Sequence, residues 1–173
     1  MRHLLVTNDF PPKVGGIQSY LWELWRRLPP GDVTVLTTAQ PGDLAFDRQQ
    51  GFRVVRERRR VLMPTPAFAR RIDTLADEVG ASVVVLDPVL PLGAVGPWLR
   101  RPYLVIVHGA ELSVPGRLPG TSDLLRPVLR KAALVIAGGD YVWAEAEHVA
   151  RRRLPVVLVP PGVNATRFHP LER

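Results

Sequence analysis

The chain alternates short, unbroken apolar runs with stretches of helical periodicity, and this constrains its fold more than any other feature. The apolar runs are Leu4–Val6, Val33–Thr37, Phe52–Arg56, Ser82–Leu86, Tyr103–Val107, Leu134–Ala137 and Val156–Val159. Most of them are continuous rather than alternately polar, as expected of strands buried on both faces of a parallel sheet. Between the first two, Ile17, Tyr20, Leu21, Leu24, Trp25 and Leu28 recur at offsets of 0, 3, 4, 7, 8 and 11, one face of a helix that Pro29-Pro30-Gly31 stops. Helices are also expected over Ala67–Val79, ending at Gly80; over Leu92–Leu99; over Asp123–Arg130, with Pro127 in the first turn; and over Tyr141–Arg152, with Asp140 as N-cap. Strand and helix in turn predict an α/β, Rossmann-like domain with a mostly parallel sheet of about seven strands, covered by helices on both faces.

Composition narrows what such a domain can do. With 173 residues, 46% of them hydrophobic, the chain can bury a core without staples. It has no cysteine, which excludes a disulfide framework, thiol catalysis and cysteine-bound zinc. No apolar run reaches the eighteen or so residues of a membrane span, and the opening Met1–Asp9 has no signal-peptide pattern, so the expected location is cytoplasmic. Net charge is +7 and comes almost wholly from arginine, since only Lys13 and Lys131 are lysines. The arginines cluster at Arg26-Arg27, Arg56 with Arg58–Arg60, Arg70-Arg71, Arg100-Arg101 and Arg151–Arg153. Such clusters suit phosphate-rich partners such as an anionic membrane surface, or reflect codon bias on solvated helix faces. No zinc-finger spacing, RNP-type aromatic motif or basic heptad accompanies them, so nucleic acid is not an expected partner.

In an open α/β sheet, ligands bind beyond the carboxyl ends of the strands. The informative loops are therefore residues 8–16, 87–91, 108–120 and 138–140. Gly15-Gly16 precedes the first helix, where backbone amides and the helix dipole favour a diphosphate, or where the pair simply makes a turn. The spacing is neither a dinucleotide fingerprint nor a Walker motif. Gln18 and Ser19 can bond a ligand or cap the helix, and Asn8 and Asp9 can hold hydroxyls or bond their own turn. His108 follows the fifth strand directly, as a ligand contact or as a hydrogen-bonded core histidine. Glu111 can orient it, bind a hydroxyl or cap the next segment. His3, His148 and His169 lie at no metal-ligand spacing from it, and Ser113 and Ser122 lack a hydrolase nucleophile's setting.

Taken together, three stretches resemble the N-terminal half of a GT-B fold, retaining glycosyltransferase of family 4. They are Asn8-Asp9-Phe10-Pro11-Pro12 with Gly15-Gly16-Ile17-Gln18-Ser19-Tyr20; His108-Gly109-Ala110-Glu111; and Pro160-Pro161-Gly162-Val163-Asn164 with Arg167-Phe168. The resemblance covers nearly the whole chain, and its opening stretch is most similar to actinobacterial mannosyltransferases that extend phosphatidylinositol mannosides. Where the family has Asp after Pro-Pro-Gly-Val, this chain has Asn164.

The resemblance implies an acceptor-binding Rossmann-like domain over 1–160 and the start of an interdomain linker over 161–173, with the donor-binding C-terminal domain absent from these residues. Gly15 and Gly16 would meet the donor diphosphate, His108 would contact the transferred sugar, and Asn8, Asp9 and Gln18 would line the acceptor side, with Glu111 in support. The implied reaction is transfer of mannose from GDP-mannose to a phosphoinositol lipid with retention, on a peripheral membrane enzyme. No metal or cofactor is implied, because backbone amides and cationic side chains would meet the leaving diphosphate. The competing expectations are a non-catalytic module for a sugar or lipid headgroup, and a family 4 transferase with another nucleotide sugar and a soluble acceptor.

Overall fold

A computed structural model describes residues 1–113 and 121–163. Its seven strands are β1 (His3–Thr7), β2 (Val33–Thr38), β3 (Arg53–Glu57), β4 (Val83–Asp87), β5 (Tyr103–Val107), β6 (Leu134–Ala137) and β7 (Val156–Leu158). All pair in parallel in the order β3-β2-β1-β4-β5-β6-β7. The order reverses direction between β1 and β4, the switch point at which doubly wound sheets open a crevice.

Six α-helices accompany the strands among the described residues: α1 (Gly16–Trp25), α2 (Asp43–Asp47), α3 (Pro66–Val79), α4 (Ala110–Ser113), α5 (Thr121–Lys131) and α6 (Asp140–Ala150). One sheet face carries the larger core, where Leu4, Val6, Val84, Leu86, Val105 and Val107 pack under α3, α5 and α6. On the other face, Leu5, Val35, Val85 and Ile106 pack under Leu21 and Trp25 of α1 with Phe10 and Phe52. Both faces of each central strand are thus buried, which is why its sequence reads as an unbroken apolar run.

α3 begins at Thr65, whose hydroxyl accepts from the Phe68 amide, and ends at Gly80 with φ 65°, the left-handed conformation that glycine adopts without strain. Several boundaries differ from the sequence reading. The segment Leu92–Trp98 is a 3-10 helix, with Pro97 inside it. Pro127 lies in the interior of α5, because the helix starts earlier, at Thr121. The loss of one backbone donor there is offset by burial of Leu125, Val128 and Leu129. Asp140 is the first residue of α6, and Gly139 takes the N-cap position. The polar connection after β2 contains α2, too short to show a periodicity.

Candidate active site

The site is built from side chains that continue the α1 face of the sheet past its apolar layer. Side chains alternate across a strand, so the residue two beyond a buried apolar one lies on the same face. Leu5 is followed on that face by Thr7, Val85 by Asp87, and Ile106 by His108. These positions end or follow β1, β4 and β5, neighbours around the switch point, and Thr7 and Asp87 are register partners. An apolar layer therefore gives way to a polar one at the carboxyl edge of three adjacent strands.

Hydrogen bonds join the polar layer laterally. The Asp9 amide donates to Thr7 Oγ1 at 2.9 Å, and the Thr7 hydroxyl donates to Asp87 Oδ2 at 2.8 Å. His108 Nε2 lies 2.5 Å from Asp87 Oδ1. Asp87 is fully buried, whereas the His108 side chain keeps 18% of its surface. The Tyr20 ring of α1 meets His108 edge-on, with centroids 5.9 Å apart at 87°. Its hydroxyl donates to the Val159 carbonyl at 2.8 Å. Burial, and secondly the negative charge of Asp87, push the Tyr20 hydroxyl above its ordinary range. Gly109 follows with φ 106°, a conformation that fits glycine and lets the chain turn into α4.

The β1–α1 loop forms the other wall. Asn8 bonds the main chain of Leu62 with both ends of its amide, donating to the carbonyl at 3.2 Å and accepting from the N–H at 2.7 Å. It thereby ties the β1 exit to the segment after β3. Asp9 Oδ1 accepts from Lys13 Nζ and from Gln18 Nε2, each at 2.6 Å. Gln18 is buried, and its amide folds back over Gly15. A Cβ at Gly15 would lie 2.1 Å from Gln18 Oε1, so the glycine is needed for this close approach. At Gly16 a Cβ would meet nothing within 4 Å, and the helix N-terminus is open there. Arg56, nearly buried, braces the loop by donating to the Pro11 carbonyl at 2.7 Å while it pairs with Asp47.

Of the residues expected from sequence, Asp9 and Gln18 are bonded to one another beside Gly15, His108 is linked to the same loop through Asp87 and Thr7, Asn8 is bonded to the main chain of Leu62, and Gly16 opens α1. The Glu111 side chain and residues Asn164, Arg167 and Phe168 lie outside the described residues. Asp87, Thr7 and Tyr20 were not among the expected site residues, although two of them carry a detectable signal: each is polar and two positions beyond a buried strand residue. A cleft of about 680 Å³ adjoins the site between α1 and the segment after β7, lined by Gly16, Tyr20, Glu23 and Arg27 and by 159–163. It reaches the α1 N-terminus but not His108.

A sequence profile for Glycosyltransferase Family 4 matches residues 14–167. The chain belongs to glycosyltransferase family 4. Among curated relatives, the GDP-mannose-dependent alpha-(1-6)-phosphatidylinositol monomannoside mannosyltransferase of Mycobacterium tuberculosis strain H37Rv is 34% identical over 98% of this chain and 46% of its own. The Mycolicibacterium smegmatis protein of the same name is 33% identical over 96% of this chain and 46% of its own. The chain thus spans about half the length of the curated relatives it matches. Among solved structures, that of Anabaena Alr3699/HepE in complex with UDP superposes with a TM-score of 0.68 at 16% identity, covering 96% of this chain and 45% of that one. This likeness bears on the fold alone, which is the Rossmann-like architecture expected from the sequence. No helix among the described residues is long and apolar enough to cross a membrane.

Proposed function

We propose that this domain is the acceptor-binding half of a retaining mannosyltransferase that moves mannose from GDP-mannose to a phosphatidylinositol mannoside. The observation that carries the reading is 34% identity, over nearly the whole chain, to transferases of that name. The geometry is compatible with it. A diphosphate approaches the open α1 N-terminus at Gly16, where backbone amides and the helix dipole offset its charge. His108, turned toward the crevice by Asp87, contacts the transferred sugar. Asp9, held by Lys13 and Gln18, presents its remaining carboxylate capacity to acceptor hydroxyls, and Asn8 fixes the loop that carries it.

In this mechanism the bond from mannose C1 to the diphosphate oxygen breaks, the bond to the acceptor oxygen forms on the same face with retention, and the leaving diphosphate takes the acceptor proton. The domain contributes orientation and fixed dipoles rather than a nucleophile. No metal takes part, so EDTA leaves the rate unchanged. Exposed Arg58, Arg59 and Arg60 follow the carboxyl end of β3, beside exposed Val61 and Met63. They dock the domain on an anionic cytoplasmic leaflet, each well-placed charge adding about 1 kcal/mol.

The test is mannosyl transfer by the full-length protein, with radiolabelled GDP-mannose and phosphatidylinositol monomannoside in detergent. A mannosylated lipid product is expected, and His108→Ala is expected to abolish it. Turnover only with another nucleotide sugar, or undiminished turnover by the variant, would overturn the corresponding part of the assignment. Equal sedimentation with neutral and anionic liposomes at low salt would remove the docking surface.

A further inference from the structure

We propose that Asp87 is a positioning residue whose carboxylate holds neutral His108 as the tautomer with hydrogen on Nε2, making Nδ1 the acceptor nitrogen of the ring. The catalytic consequence rests on the reading of His108 as the contact to the transferred sugar; the tautomer does not. A main-chain N–H can only donate, so the bond from Asp9 makes Thr7 Oγ1 an acceptor. The single hydroxyl hydrogen of Thr7 is committed to Asp87 Oδ2. A carboxylate accepts at both oxygens, and Asp87, buried at the switch point, offers no hydrogen to its neighbour on the other side. The 2.5 Å contact between Asp87 Oδ1 and His108 Nε2 therefore takes its hydrogen from the imidazole. The polarity of the chain is set by the Asp87 carboxylate, which accepts from the Thr7 hydroxyl on one side and from the imidazole on the other. Tyr20 packs edge-on against that ring and limits its rotation.

An acceptor nitrogen at the sugar takes a hydrogen bond from a sugar hydroxyl, whereas a reversed ring would donate to that hydroxyl and turn its hydrogen elsewhere. Asp87→Asn reverses a single bond at nearly constant shape. Thr7 still demands an acceptor, so the new amide turns its oxygen to Thr7 and its NH2 to His108. Nε2 must then accept, and the hydrogen moves to Nδ1. Thr7→Val combined with Asp87→Asn lifts the demand, allows the amide to turn its oxygen to Nε2–H, and restores the original tautomer.

The experiment is 15N and 13C NMR of the full-length protein labelled at histidine, recorded over a pH series that includes the neutral ring, with His108 assigned by loss of its signals in His108→Gln. The expected result is the Nε2–H tautomer in the native protein, Nδ1–H in Asp87→Asn and Nε2–H again in the double variant. In the transferase assay, kcat of Asp87→Asn is expected to fall about 100-fold, with the KM for the nucleotide sugar changed less than about threefold. The double variant should recover part of that loss. An Nδ1–H ring in the native protein overturns the inference, and this reading needs no variant to fold. A reversed tautomer with full kcat overturns the positioning role. Full turnover by His108→Ala would instead remove the catalytic consequence through the functional reading, and leave the tautomer assignment standing.

Discussion

The two faces of the sheet share the same strands and the same register, yet end differently. On the α3, α5 and α6 face, β4 closes with Val84 and Leu86, both wholly buried among apolar neighbours. On the α1 face the same strand closes with Val85 and then Asp87, a buried carboxylate bonded to Thr7 and His108. Leu86 and Asp87 are adjacent in sequence and equally inaccessible, but one is held by dispersion and exclusion of water and the other by directed hydrogen bonds. The first kind of burial tolerates no loss of volume; the second tolerates little change of polarity. The sheet thus assigns stability to one side and geometry to the other.

Leu86→Ala should break the comparison most strongly on the stability side. It is expected to cost about 2–5 kcal/mol in urea unfolding while leaving the His108 NMR signature unchanged. On the other face, Thr7→Val should cost about 1–3 kcal/mol, because it leaves a lone pair of buried Asp87 without a donor. Within the α1 loop, Gly15→Ala must turn the end of the Gln18 side chain away and loosen its bond to Asp9, at about 1 kcal/mol by thermal unfolding. Gly16→Ala meets open space, so stability should stay within about 0.5 kcal/mol while affinity for GDP-mannose falls in titration calorimetry. The smallest effect belongs to the rim of the closed face. Hydrogen bonds from Arg101 and then Arg100 hold the exposed Asp77 carboxyl below its ordinary range. A depressed carboxylate contributes stability that is present above its unfolded pKa, about 3.9, and is lost as pH falls through the folded value. The melting temperatures of native protein and Asp77→Asn should therefore differ slightly at neutral pH, and converge in strong acid or high salt.

Much of the fold could be read from the residues because its signals are local. Unbroken apolar runs marked the strands, Gly80 marked the end of α3, and the face from Ile17 to Leu28 marked α1, which ends sooner than that face, at Trp25. Signals that depend on neighbours distant in sequence were illegible. Pro127 suggested a helix start, but its place inside α5 is supported by burial that only the tertiary structure supplies. The site shows the same division. His108, Asp9 and the glycines stood out as polar or flexible residues after strands. Asp87 was read only as the opening of the loop 87–91 and not as a site residue, because its partners lie 80 and 21 residues away and meet only once strand order is known. Tyr20 was hidden in plain periodicity, as one more member of the α1 apolar face. Gln18 and Asn8 were legible as polar residues, but their use as struts within the loop was not, since that depends on Gly15 and on the main chain of Leu62.

The bond from the Tyr20 hydroxyl to the Val159 carbonyl spans 139 residues and joins the first helix to the exit of the last strand. One end of that side chain lies against the imidazole and the other holds the polypeptide as it leaves the sheet. A single side chain thus fastens the exit of the last strand to the surroundings of His108, so the edge strand β7 and the end of β5 meet at one residue of the first helix.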